Sequence, residues 1–228
     1  MRRLREPELM DDGALNRELH EEALRGLSRV NRVSFTAQTL WPPILAFSRK
    51  AGRVVSVLDL ATGGGDVPIA LCSLAKRHGA DISFSGCDRS DVALQFANRQ
   101  SVRLGNRVDF FKLDVVSEEI PTHFDVVISS LFLHHLDPAE VILVLSKMSH
   151  ANLALVSDLI RSVPGLFLTH VATRVLSNSN IVRVDGPRSV HAAYTRDEMK
   201  RMAVQAGMSG VEIRRCWPFR MLLCWTRP

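Results

Sequence analysis

Three acidic residues stand where hydrophobic runs end: Asp59 after VVSVL, Asp88 after ISFSGC and Asp114 after VDFFKL. The first is followed almost at once by a bend, Ala61-Thr62-Gly63-Gly64-Gly65. Residues without a Cβ let a ligand touch the backbone and let the chain take φ > 0. Carboxylates beside such a bend attract a ligand that carries cationic groups, and they repel a pyrophosphate. A second constellation lies further on, in Ser130-Leu131-Phe132-Leu133-His134-His135 and in Asp158. Phenolic hydroxyls, near pKa 10, attack poorly until the proton is removed, and an imidazole of ordinary pKa about 6.5 can remove it. A carboxylate beside the imidazole orients it for that task.

The elements that must position these residues follow from periodicity. Val54 to Leu58 is apolar without alternation, as a strand covered on both faces requires. Asp66 suits the N-cap of the next helix and Pro68 its first turn, where a missing N–H costs nothing. That helix runs to about Arg77, and strand Ile82–Cys87, helix Val92–Leu104 and strand Val108–Leu113 follow. Phe124–Ser130 is a fourth strand, Asp137-Pro138 opens a helix to about Met148, and Leu153–Ser157 is a fifth strand ending at Asp158. Ligands of open α/β sheets lie over the carboxyl ends of the strands, so His134, His135 and Asp158 should face the crevice of the glycine bend. Asp88, about twenty positions beyond that bend, suits the two hydroxyls of a ribose.

Outside this core, residues 14–33 space Leu15, Leu19, Ala23, Leu27 and Val30 as an amphipathic helix, and a second helix, Thr36 to Lys50, is broken at Pro42-Pro43. Both cover the sheet, with His20, Asn31 and Trp41 as their candidates for touching a ligand. Val163 to Leu176 is strongly apolar, and 177–193 reads as a polar loop around Gly186-Pro187. Thr195 and Glu198 form a capping box for a helix to about Ala206, and Val211–Cys216 with Arg220–Trp225 make a closing hairpin. The insertion 159–194 sits where a substrate lid belongs; a contact between two copies in a homodimer, or an extra core helix, is the other use of such a stretch. As a lid it offers His170, His191 and Tyr194 to an acceptor, and its Leu166, Phe167, Leu168 and Val171 suggest a lipophilic one. The expected organisation is a single domain, 1–228, with a helical cap (1–49), a ligand-binding core (50–158), the lid (159–194) and a C-terminal helix and hairpin (195–228).

Composition narrows the partners. The net charge of +5 is spread along the chain, and aromatics make up only 6% of it. A nucleic-acid reader needs a clustered basic face with stacking rings, so no nucleic-acid partner is expected. MRRLREPELMDDG is too charged for a signal-peptide core, and no apolar stretch reaches about 18 residues. The expectation is a cytoplasmic protein without stable membrane association. Cys72, Cys87, Cys216 and Cys224 form no CxxC pair and no ligand spacing with histidine, which suits reduced thiols and demands no metal.

With these elements in place the chain resembles class I S-adenosylmethionine-dependent methyltransferases. It is most similar to the small-molecule branch of ubiquinone/menaquinone biosynthesis and of polyketide and phenol O-methylation. VLDLATGGGD, GCDRS, KLDVV and FDVVISSLFLHHL carry the resemblance within residues 50–160, and 195–226 follow it in outline. It implies an α/β, Rossmann-like, doubly wound sheet of seven strands, order 3-2-1-4-5-7-6, the seventh antiparallel. It implies S-adenosyl-L-methionine as cofactor, with Asp59, Gly63 and Gly65 at the methionine end, Asp88 at the ribose, Asp114 and Val115 at the adenine, and Ala61, Thr62, Arg89 and Ser130 completing the cofactor-binding set. Ala61 departs from the glycine usual in the D-x-G-x-G-x-G bend.

Phe132 joins the acceptor side. The [DN]-PP-[FYW] pattern of nucleic-acid amino-methyltransferases and the paired glutamates of protein arginine methyltransferases are missing between Asp125 and Pro138, which leaves a small-molecule acceptor. Methyl transfer from a sulfonium is an in-line displacement, so alignment and exclusion of water supply most of the acceleration. His134 or His135 is then the base and Asp158 its orienter. Two other readings stay open: a methyltransferase-like module that holds the nucleoside without chemistry, and a nicotinamide dehydrogenase. Pro68 in the third glycine position and the acid at Asp59 disfavour the latter.

Overall fold

Alternation along β1 (Val55–Leu60) divides the core in two, Val55 and Val57 facing one layer of helices and Leu58 and Leu60 the other. In the computed structural model, which describes residues 1–11 and 15–228, β1 is flanked by β2 (Ile82–Asp88) and β4 (Val126–Ser130). Ala14, the first residue of the expected N-terminal helix, lies outside the described residues. With β3 (Val108–Lys112), β5 (Leu153–Leu159), β6 (Glu212–Cys216) and β7 (Arg220–Thr226), the sheet has the order β3-β2-β1-β4-β5-β7-β6. β7 runs antiparallel to both of its neighbours, and the pairs among β1 to β5 are parallel.

One face packs against α2 (Thr36–Ala51) and α3 (Asp66–His78), through Leu40, Trp41, Ile44 and Leu71. The opposite face packs against α5 (Pro138–Met148) and α8 (Arg196–Gln205), through Val144, Leu145, Met148 and Met199. α4 (Asp91–Arg103) lies against β2 and β3, and α1 (Arg17–Val33) rests on it. No helix among the described residues is long and apolar enough to cross a membrane.

Two expectations about helices are corrected. α2 is continuous through Pro42-Pro43. The two missing N–H donors would break an isolated helix, but Leu40, Trp41 and Ile44 bury a stripe across the same turn and hold it. Residues 177–193 are not a loop: α6 (Val163–Leu176) is followed by α7 (Asn180–Ala192), and the two pack together and against α1. Gly186 is a crossing point rather than a turn, since a Cβ there would meet Thr173 Cγ2 at 2.6 Å.

The start of the sheet is fastened by Asp125, whose carboxylate accepts from Arg53 at 2.5 and 2.9 Å and from the Ser56 N–H at 3.1 Å. The Arg53 side chain pulls the Asp125 carboxyl down to about 2. A group depressed on folding contributes stability that is complete above its unfolded pKa of about 3.9 and is lost as pH falls through the folded value. Acid unfolding of Asp125→Asn, followed by circular dichroism, is therefore expected to fall less steeply than the parent between about pH 4 and pH 2. An unchanged slope would remove the clamp from the acid response.

Candidate active site

A cavity of about 1160 Å³ opens over the carboxyl ends of β1, β2 and β4. Its floor is the bend, with Ala61, Thr62, Gly63 and Gly64, and its sides include Asp88, Arg89, Asp114, Val115 and Ser130. Asp59 stands behind the bend rather than in the wall. It is buried, its Oδ2 accepts from Thr62 Oγ1 at 2.6 Å, its Oδ1 has no hydrogen-bond partner among the described residues, and burial pushes the carboxyl up to about 8. Asp88 accepts from the Gly63 N–H at 2.8 Å and the Ser90 N–H at 2.9 Å, so the same carboxylate fixes the bend and faces the cavity. Burial raises its pKa as well. Asp114 accepts from the Val116 N–H at 3.0 Å and lines the cavity at its side.

Ala61 occupies φ 50, a conformation in which a Cβ costs about 1–2 kcal/mol. Glycine would shed that strain, at an unfolded-state entropy cost of about 0.5–1 kcal/mol. Ala61→Gly is expected to be neutral to slightly stabilising, by up to about 1 kcal/mol in chemical denaturation. A clear loss of stability would mean that the Ala61 methyl does more packing than its strain suggests.

The catalytic candidates come from the chain just after β4. Phe132 and a 3₁₀ turn, Leu133–His135, carry both histidines into the cavity wall. His134 is 2% exposed; its Nδ1 lies 2.6 Å from Asp158 Oδ1, and its backbone N–H donates to Asp158 Oδ2 at 3.1 Å. Register explains the meeting, because Ser130 pairs with Ser157 on adjacent strands. Burial alone would raise the Asp158 carboxyl; the His134 imidazole outweighs it and leaves Asp158 below its ordinary value. Asp158 thus favours its anionic form, which accepts from His134 Nδ1 in the tautomer that carries its proton there, and Nε2 is the other ring nitrogen.

Several wall residues were not anticipated. Residues 1–10 act as a strap: Arg3 donates to the carbonyls of His134 (3.1 Å) and Leu136 (2.8 Å), and Arg5 to that of His135 (2.7 Å). Asp185 of α7 accepts from the N–H groups of Leu9 (2.9 Å) and Met10 (3.0 Å). The strap delivers Glu8 to the histidines, its Oε1 lying 3.9 Å from His134 Nε2 and 3.8 Å from His135 Nδ1. At the other end, Arg220 of β7 is buried, lines the cavity with Asn31 and Asp66, and donates to Asn31 Oδ1 at 3.2 Å. Desolvation lowers its guanidinium to about 10, a cost that an incoming anion would offset. An arginine inside the otherwise apolar RMLLCWT was the available signal.

Other expected contacts lie elsewhere. His20 and Asn31 do line the cavity, whereas Trp41 is in the core beside His78. Gly65, at φ 71, packs against Phe110 and Ala97 and is outside the wall. His170 is exposed on α6 beside Arg174, His191 is half-buried outside the lining, and Tyr194 is buried with its hydroxyl donating to the Leu136 carbonyl at 2.7 Å. Phe167 is 73% exposed, and Val171 is exposed with it. The phase of α6 is set by its small residues, so it offers the cavity Thr169 and Thr173 rather than its large apolar side chains.

Comparison with known proteins agrees with this geometry. Residues 57–151 match the family described as "Methyltransferase domain". A ubiquinone biosynthesis O-methyltransferase of Nitrosomonas europaea is 40% identical over 90 residues, 38% of this chain and 36% of that one. The chain therefore spans about a third of the length of that curated relative. An O-methyltransferase family protein from Burkholderia thailandensis superposes with TM-score 0.66 at 18% identity, covering 96% of this chain and 61% of that one. Magnesium protoporphyrin IX methyltransferase of Synechocystis, solved with S-adenosylhomocysteine, gives TM-score 0.59 at 16% identity, covering 95% and 90%. Strand order, glycine bend and matched segment are together similar to those of class I S-adenosylmethionine-dependent methyltransferase domains. The matched part runs from β1 to the end of α5, the half of the sheet that carries the bend and both histidines.

Proposed function

We propose that this chain methylates a hydroxyl of a small, lipophilic phenolic or enolic acceptor, with His134 as the base. The observation that carries the reading is the 2.6 Å contact between His134 Nδ1 and Asp158, in a wall shared with the glycine bend. The cavity suits S-adenosyl-L-methionine: the carboxylates of Asp88 in its wall and Asp59 behind the bend, both raised by burial, favour a cationic ligand. Gly63 leaves the floor open, since a Cβ there would have only Leu24 nearby, at 3.7 Å. When bound, the cofactor supplies a methyl group on a sulfonium.

The chain's own residues do the rest. Asp88 takes the ribose hydroxyls, Asp114 with Val115 the adenine, and Arg220 with Asn31 the carboxylate of the methionine end. Thr62, tied to Asp59, keeps the bend in shape. Met10, Leu27, Val30, Phe132 and Val182 give the wall its apolar share and shelter the acceptor's body from water. His134 Nε2 receives the acceptor's proton as the oxygen attacks, and the Asp158 anion steadies the imidazolium so formed. The name of the Nitrosomonas relative supports oxygen as the methylated atom.

S-adenosylhomocysteine formation with a panel of phenols and enols bearing short and long alkyl tails tests the proposal. Turnover is expected with hydroxyl acceptors, and faster for longer tails. Cofactor binding by calorimetry with no turnover on any acceptor would favour the non-catalytic nucleoside-binding module instead.

A further inference from the structure

Glu8, His134 and His135 bring one donor atom each to within 4.8 Å of one another. Imidazole nitrogen and carboxylate oxygen are the donors that borderline divalent metals prefer. Bonds of about 2.0–2.2 Å at tetrahedral angles set donors about 3.3–3.6 Å apart. Glu8 Oε1 stands a few tenths of an ångström beyond that span, at 3.9 Å from His134 Nε2 and 3.8 Å from His135 Nδ1, a gap that a small side-chain shift closes. The second half of His134 is built for the same purpose. Its Nδ1 is held by Asp158 at 2.6 Å, the carboxylate–histidine arrangement that fixes the tautomer and aims the Nε2 lone pair at a metal. Both imidazoles and Glu8 border the cavity, so a fourth position would open onto it.

We infer that Glu8, His134 and His135 form a site for one divalent transition metal of the zinc class. Three protein donors with an open fourth position is the pattern of an accessible rather than a purely structural site. The metal would occupy the Nε2 lone pair that proton acceptance needs, so the loaded protein methylates slowly. This last consequence rests on the base assigned to His134; the binding itself does not.

Full-length protein stripped with a chelator is titrated with zinc by calorimetry and with cobalt(II) by visible absorption. One equivalent is expected to bind, with the intense bands of low-coordinate cobalt. Glu8→Gln should weaken binding at least about tenfold, and Asp158→Asn by about 10–100-fold, each folded by circular dichroism. Zinc at saturation should slow S-adenosylhomocysteine formation and a chelator restore it. No binding by the parent, or equal binding by Glu8→Gln, overturns the site, and faster turnover with zinc overturns its inhibitory effect. If metal-free protein turns over no acceptor at all, the calorimetry still decides the metal site, so the two proposals fail separately.

Discussion

His134→Ala, assayed free of metal and at saturating cofactor, is expected to form S-adenosylhomocysteine about 10²–10⁴ times more slowly than the parent, the range for loss of a positioned general base. Cofactor affinity should hold, because the contacts proposed for the ribose and for the methionine carboxylate are those of Asp88 and of Arg220 with Asn31. His135→Ala should cost much less: its Nδ1 faces Glu8 at 3.8 Å, whereas Asp158 is bonded to the neighbouring ring. Asp158→Asn is expected to fall nearly as far as His134→Ala, since an amide can present its N–H to Nδ1 and trap the wrong tautomer. Groups that act as a unit are grossly non-additive. His134→Ala combined with Asp158→Asn should therefore be little slower than either alone. Parental rates in both histidine variants would end the base mechanism, and a fully multiplicative double variant would dissolve the pair.

The strands that build this pair are the most legible part of the chain, because strands buried on both faces admit few polar residues. VVSVL and VVIS announce β1 and β4 directly, and the acids that end the runs mark the cavity side. The order of the strands came with the family resemblance; periodicity alone reached a largely parallel sheet and a hairpin. α7 was hidden for a physical reason. Its inward positions include Asp185 and Ser189, which look like loop residues until the strap they bind is known: Asp185 receives the Leu9 and Met10 N–H groups, and Ser189 donates its hydroxyl to Glu8. α6 misled in the opposite sense. Val163, Phe167, Val171 and Val175 repeat every four residues, yet that stripe is exposed and the small face of Gly165, Thr169 and Thr173 turns inward. Glu8 and Arg220 act across the whole fold, at separations of more than a hundred residues from their partners, and no local pattern encodes such a meeting.

The glycine bend offers the sharpest separation of stability from binding. Gly63 and Gly65 both hold positive φ, 52 and 71, so alanine at either costs about 1–2 kcal/mol of backbone strain. Their surroundings differ. A Cβ on Gly65 would lie 2.6 Å from Phe110 Cζ and 2.8 Å from Ala97 Cβ, and such overpacking adds about 1–3 kcal/mol. Gly65→Ala is thus expected to lose about 2–5 kcal/mol, which at about 2–4 °C per kcal/mol lowers the melting temperature by roughly 4–20 °C. A Cβ on Gly63 would meet only Leu24, at 3.7 Å, and would project into the cavity floor. Gly63→Ala should melt about 2–8 °C below the parent, from strain alone, yet bind S-adenosylhomocysteine far more weakly, because its methyl occupies the space through which a ligand reaches the backbone. Calorimetry and thermal melts on the two variants resolve the contrast. Equal losses of affinity and stability in both would mean that the bend responds as one rigid unit, and the cavity floor would then have to lie elsewhere than at Gly63.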